Sequence, residues 1–83
     1  MKIQVRFFAS LRENIGVAQE GVETEAHNVG DLRRQLQERG GAYAEALASQ
    51  RPVRVAVNQL MAQDETPLQD GCEVAFFPPV TGG

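Results

Sequence analysis

Cysteine, histidine and lysine each occur once in these 83 residues, as Cys72, His27 and Lys2. A single cysteine excludes an internal disulfide and any thiolate metal cage. A single histidine excludes the common multi-histidine metal sites, so no metal is expected. Apolar runs are short, and nothing approaches the ~20 residues that cross a bilayer. Met1-Lys2 leads straight into the alternating Ile3-Gln4-Val5-Arg6, without the apolar stretch of a signal peptide. The expectation is a cytoplasmic chain with no membrane partner. Eight basic residues stand against eleven acidic ones, giving a net charge of −3 and a pI of about 5.0. With no basic stripe, the charge argues against a binder of nucleic-acid backbones, and no nucleic-acid partner is expected. Docking on a basic protein surface remains open. An acid/base pair, a metal set and a phosphate loop are all missing, which argues against an autonomous enzyme.

The remainder reads as one ordinary globular domain, 42% hydrophobic and 23% charged. Ile3, Val5 and Phe7 alternate with Gln4 and Arg6, so residues 2–8 read as a half-buried strand with Phe8 facing outward. Ser10-Leu11-Arg12-Glu13 has capping-box spacing, with Ser10 as N-cap of a short helix ending near Gly16. Residues 17–24 form a weaker strand. Val29, Leu32 and Leu36 share one face of a helix over residues 29–39, with Asn28 as N-cap and Asp31 in the first turn. Residues 43–49 suit a second short helix. Val53, Val55 and Val57 mark a strand, Asn58-Gln59 a turn, and Leu60–Ala62 a short extended piece. Cys72, Val74 and Phe76 point inward in a last strand whose outward residues are Glu73, Ala75 and Phe77. The order predicts a compact α+β domain, with one face of the sheet covered.

The chain stops at Gly82-Gly83, behind Phe76-Phe77-Pro78-Pro79-Val80-Thr81. Two residues without side chains can thread a channel that any Cβ would block. A terminal Gly-Gly by itself is as readily a frayed end; the apolar leader turns the reading toward function. Pro78-Pro79 fixes φ and favours an extended exit. The six residues from Pro78 to Gly83 reach roughly 20 Å. The organisation expected is a domain over residues 1–77 with an extended tail over 78–83.

This order and this end resemble the ubiquitin-like β-grasp carriers, and more closely the MoaD family of small sulfur-carrying subunits of molybdopterin synthase. The residues that carry the resemblance are Phe7-Phe8-Ala9, Leu11-Arg12-Glu13 and Gly16, then Ala56-Val57-Asn58-Gln59, then Asp70-Gly71 and the run from Glu73 to Gly83. Residues 17–50 match in pattern alone. Cys72 departs from the acidic or polar residue more usual there, without touching the mechanism.

The resemblance implies a β-grasp fold and a sulfur carrier in molybdenum cofactor biosynthesis. An ATP-using, ubiquitin-activating-like adenylyltransferase would adenylate Gly83, and a sulfur donor would displace AMP to leave a thiocarboxylate. Gly82 would let the tail thread into the large synthase subunit, where the sulfur attacks a pterin precursor. The chain would bind no cofactor of its own. It would be a non-catalytic subunit, a sulfurtransferase only within the complex, which is expected to be a heterotetramer. Phe8, Met61 and Phe77, with the tail residues Pro78, Pro79, Val80 and Thr81, are the expected partner contacts; Leu60 is an alternative to Met61. An exposed aromatic cluster marks an interface more often than an accident. Other readings are a thiamin-type sulfur carrier, a ubiquitin-like modifier joined to lysines, and an interaction module whose Gly-Gly is incidental. Cys72 is read as a small buried hydrophobe ahead of a nucleophile, His27 as solvated, and Arg33-Arg34 as a solvated helix face.

Overall fold

A computed structural model describes residues 1–79. The elements run β1 (Lys2–Phe7), α1 (Ala9–Ile15), β2 (Gln19–Glu23), α2 (Val29–Gln37), α3 (Gly41–Ala46), β3 (Arg54–Val57), β4 (Leu60–Ala62) and β5 (Glu73–Phe77). The five strands form one sheet in the order β2-β1-β5-β3-β4. β1 and β5 are parallel at its centre, and every other pair is antiparallel. This is the α+β, β-grasp arrangement expected, with the first and last strands as neighbours.

Alternation decides which face is covered. Ile3, Val5 and Phe7 of β1 and Val74 and Phe76 of β5 are fully buried with Val29, Leu32 and Leu36 of α2 and with Leu47. The Phe7 ring stacks on Phe76 at 6.0 Å and meets Tyr43 edge-on at 6.1 Å. Such aromatic pairs add to their burial energy. Cys72 is buried just before β5, as its parity predicts. No helix among the described residues is long and apolar enough to cross a membrane.

Asn28 caps α2 as expected, its side-chain oxygen accepting from the Asp31 N–H at 2.8 Å. The helix stops at Gln37, two residues early, because Arg39 and Gly40 close a tight turn onto the carbonyls of Leu36 and Gln37. α3 covers residues 41–46 instead of 43–49. Ser10 is not the N-cap of α1. The Phe8 N–H still pairs with the Phe76 carbonyl at 3.1 Å, and the Phe8 carbonyl accepts from Leu11 and Arg12. The helix therefore starts on the last residue of the extended chain, with no side-chain cap. Ala9 takes φ 51° to make that abrupt turn. Gly16 ends the helix in the left-handed region at φ 85°, its N–H on the Arg12 carbonyl.

Asn58 and Gln59 both have positive φ and form the two-residue hairpin between β3 and β4. Asn58 is held twice to the first residue of β5. Its N–H reaches the Glu73 carbonyl at 2.8 Å, and its side-chain oxygen accepts from the Glu73 N–H at 3.0 Å.

Candidate functional site

The uncovered face of the sheet is set by register. One row runs Arg6, Ala75, Ala56, Met61 across β1, β5, β3 and β4. Phe77 stands opposite Arg54. Phe8, extended at φ −124°, continues the alternation of β1 past its last paired residue. It sits beside Phe77 because the preceding pair, Phe7 and Phe76, are partners. Phe8 and Phe77 therefore share the face and the end of the sheet from which the chain leaves. Phe8 is exposed and Phe77 half-buried.

Ala75, expected to face outward, lies on that face yet is only 8% exposed, as is its partner Ala56. Two methyl groups at the middle of the row leave a shallow apolar floor between the long side chains of Arg6 and Met61. Met61 is 56% exposed on the same face as Ala56. Leu60, though 73% exposed, pairs with Val57 and so belongs to the other side. Parity thus selects Met61 over Leu60 as the neighbour of the patch.

Sequence reading passed over Arg6. Its guanidinium lies 5.0 Å from the centre of the Phe8 ring and 3.6 Å from the Glu73 carboxylate. A cation over an aromatic face is attractive, so Arg6 is held against Phe8 while Glu73 partly neutralises it. The alternation that found Phe8 also placed Arg6 on its face; the ring contact itself depends on how the chain turns after Phe7.

Pro78 and Pro79 are half-buried at the exit and border a cleft of about 140 Å³. Leu11, Ala46, Pro52 and Val53 line it from α1, α3 and the segment before β3. The tail therefore starts against packed chain. The segment holding Pro52 is itself tied down by Arg33, the residue expected to be solvated. Its guanidinium donates to the carbonyls of Leu47, Ala48 and Arg51 at 2.8, 2.7 and 3.2 Å. Val80, Thr81, Gly82 and Gly83 lie outside the described residues.

On the covered side, Glu20 joins β2 to the helices through Arg39 and the Tyr43 hydroxyl, the latter at 2.9 Å. The Arg39 guanidinium also lies 4.8 Å from the Tyr43 ring centre. Burial pushes the Tyr43 pKa up, and the hydrogen bond to Glu20 and its charge push the same way. Burial acts to lower that of Arg39, but the bond to Glu20 and its charge outweigh it, leaving the value raised. These groups are mutually satisfied, and none of them lines the cleft at the tail exit. They fit a structural tie better than chemistry.

The chain is 42% identical over 81 residues to the molybdopterin synthase sulfur carrier subunit of Escherichia coli (strain K12), covering 98% of this chain and 99% of that protein. It is 34% identical over 94 residues to small archaeal modifier protein 3 of Haloferax volcanii, covering 100% of both. Its fold matches a solved complex of subunits 1 and 2 of molybdopterin-converting factor from Helicobacter pylori 26695 with a TM-score of 0.67 and 29% identity, over 100% of both chains. Residues 5–83 match the ThiS family, and the chain belongs to that family.

Proposed function

We propose that this chain is the sulfur carrier subunit of a molybdopterin synthase, working in the cytoplasm, with the Gly83 carboxylate as the group that carries sulfur. The observation that supports it most is the near full-length likeness to the carrier subunit of Escherichia coli. The aromatic, proline-led exit is the arrangement such a tail needs.

A carboxylate is a poor electrophile, so activation comes first. An ATP-using adenylyltransferase forms the mixed anhydride of Gly83 and AMP, releasing pyrophosphate. Sulfide sulfur from a donor then attacks the glycyl carbonyl and AMP leaves, giving the thiocarboxylate. Within the large synthase subunit that sulfur attacks the pterin precursor to form a thioester, and water then cleaves the Gly83 C–S bond, leaving sulfur on the pterin and a free carboxylate on the carrier. A dithiolene needs two sulfurs, so two loaded tails or two rounds of loading are used. This chain supplies the docking face, a stiff base at Pro78-Pro79 and a slim Gly82-Gly83 end. A stiff base lowers the entropy lost when the tail inserts. Phe8, Met61 and Phe77 dock on the partner.

Incubating the thiocarboxylated chain with the large subunit and the pterin precursor tests this. Product is expected from the full chain and none from a chain lacking Gly82-Gly83. Equal product from both would sink the reading.

A second reading, a modifier joined through Gly83 to lysines of other proteins, draws support from the likeness to small archaeal modifier protein 3. It predicts isopeptide adducts on Gly83 in cells, where the carrier reading predicts only the thiocarboxylate.

A further inference from the structure

The net charge of −3 hides an uneven distribution. By register the uncovered face of the sheet carries Lys2, Arg6 and Arg54 as cations and Glu23 and Glu73 as anions. Glu23 stands opposite Lys2, far from the tail. Glu73 is already engaged by Arg6. Glu13 and Glu45 lie on helices α1 and α3, off the sheet face, and Glu45 is paired with Arg51. What surrounds Phe8 and Phe77 on the sheet face is positive: Arg6 over one ring, and Arg54 opposite the other.

Arg54 is exposed, and among the described residues it makes no ion pair. Arg6 pairs with Ala75 and Arg54 with Phe77, so they lie on either side of β5, two strand spacings across and two residues along, roughly 12 Å between backbones. The Arg6–Glu73 pair is long and partly exposed, 3.6 Å with side chains 40% and 28% accessible. Pairs of that kind add little stability, so giving one up costs little.

We propose, resting on the carrier reading, that this face is recognised by a protein surface with an apolar recess for Phe8 and Phe77 and carboxylates placed against Arg54 and Arg6. Overall charge left a basic partner open; the local charge selects an acidic one. Among the described residues Arg54 is paired with no carboxylate, so it carries the larger share. Arg6 contributes by exchanging Glu73 for a partner acid. Complementary charge of this sort acts chiefly on the association rate and makes it depend on salt. Aromatic rings beside guanidinium groups also suit single-stranded nucleic acid. The patch has only two such cations in a chain of net negative charge, so the protein partner is favoured.

The test is association of the full chain with the large subunit of molybdopterin synthase, measured by stopped flow from low to high salt. Arg54→Glu is expected to slow association about tenfold at low salt and to flatten its salt dependence. Arg54→Gln is expected to fall between that variant and the unaltered chain. Arg34→Glu makes the same change of net charge on α2 and is expected to leave the rate within about twofold. Circular dichroism checks that each variant is folded. Equal slowing by Arg54→Glu and Arg34→Glu would overturn the proposal, as would a rate insensitive to salt. Tight, Arg54-dependent binding of a single-stranded RNA oligonucleotide, with the subunit's rate unchanged, would overturn it in favour of nucleic acid. If the unaltered chain fails to bind the subunit at all, the carrier reading and this inference fall together. Binding that ignores Arg54 removes the inference alone.

Discussion

Phe76 and Phe77 are the same residue at consecutive positions of one strand, and the sheet gives them opposite environments. Phe76 is fully buried and stacked on Phe7. Phe77 stands half-buried on the uncovered face beside Phe8 and Arg54. The difference comes from the two-residue period of a strand, not from chemistry. The covered face is held by apolar packing and by paired groups such as Glu20, Arg39 and Tyr43. The other keeps large apolar side chains at its rim over a floor of two alanines. A face built only for stability would bury or remove Phe8 and Met61; keeping them exposed favours a partner.

Truncating each ring in turn separates the two faces. Phe76→Ala is expected to cost about 3–5 kcal/mol of folding stability by urea unfolding. Phe77→Ala is expected to cost under about 1 kcal/mol while weakening binding of the large subunit by roughly tenfold or more. Equal losses of stability, or unchanged partner binding by Phe77→Ala, would erase the distinction between the faces.

The next effect tests whether the covered side also anchors the tail base. Arg33→Ala removes three charge-assisted bonds to the carbonyls of Leu47, Ala48 and Arg51. A loss of about 1.5–3 kcal/mol is expected. Faster amide exchange should follow over residues 47–53, with protection of β1 and β5 preserved up to global unfolding. Unchanged exchange there would show the clamp to be dispensable.

The smallest effect is a pH dependence. The Tyr43 pKa is raised above its ordinary 10.0, first by burial and then by Glu20. A raised value favours the protonated form in the fold. The stability it contributes is complete below pH 10.0 and is lost as pH rises through the folded value. Tyr43→Phe should therefore be less stable than the unaltered chain at neutral pH, by roughly 0.5 kcal/mol given its partial exposure. The gap should close in thermal melts carried above pH 10. A gap that persists there would assign the loss to packing instead of the hydroxyl.

These cases also mark what the sequence could convey. Alternation placed Ile3, Val5, Phe7, Val74 and Phe76 inside and Phe8 and Phe77 outside, because parity is local and survives any arrangement of neighbours. The Asn28 cap was readable for the same reason: its acceptor and donor are three residues apart. Ser10 carried an equally good capping signal and lost, because Phe8 is held by the Phe76 carbonyl across the sheet and the helix begins from there. Arg33 looked like a solvated face because its three acceptors lie 14 to 18 residues away. The choice of Met61 over Leu60 needed the pairing register of β3 with β4, which no local pattern supplies. The cationic rim needed the strand order, since Arg6 and Arg54 are brought to either side of Phe77 only by folding.

Whether Gly83 carries sulfur is read from the intact mass of the chain after incubation with ATP, magnesium, a sulfur donor and a candidate adenylyltransferase. The expected result is the mass gain of one oxygen replaced by sulfur, abolished when Gly83 is removed. An unchanged mass, with the same enzyme competent on a control carrier, would contradict it and leave a docking module whose Gly-Gly does no chemistry.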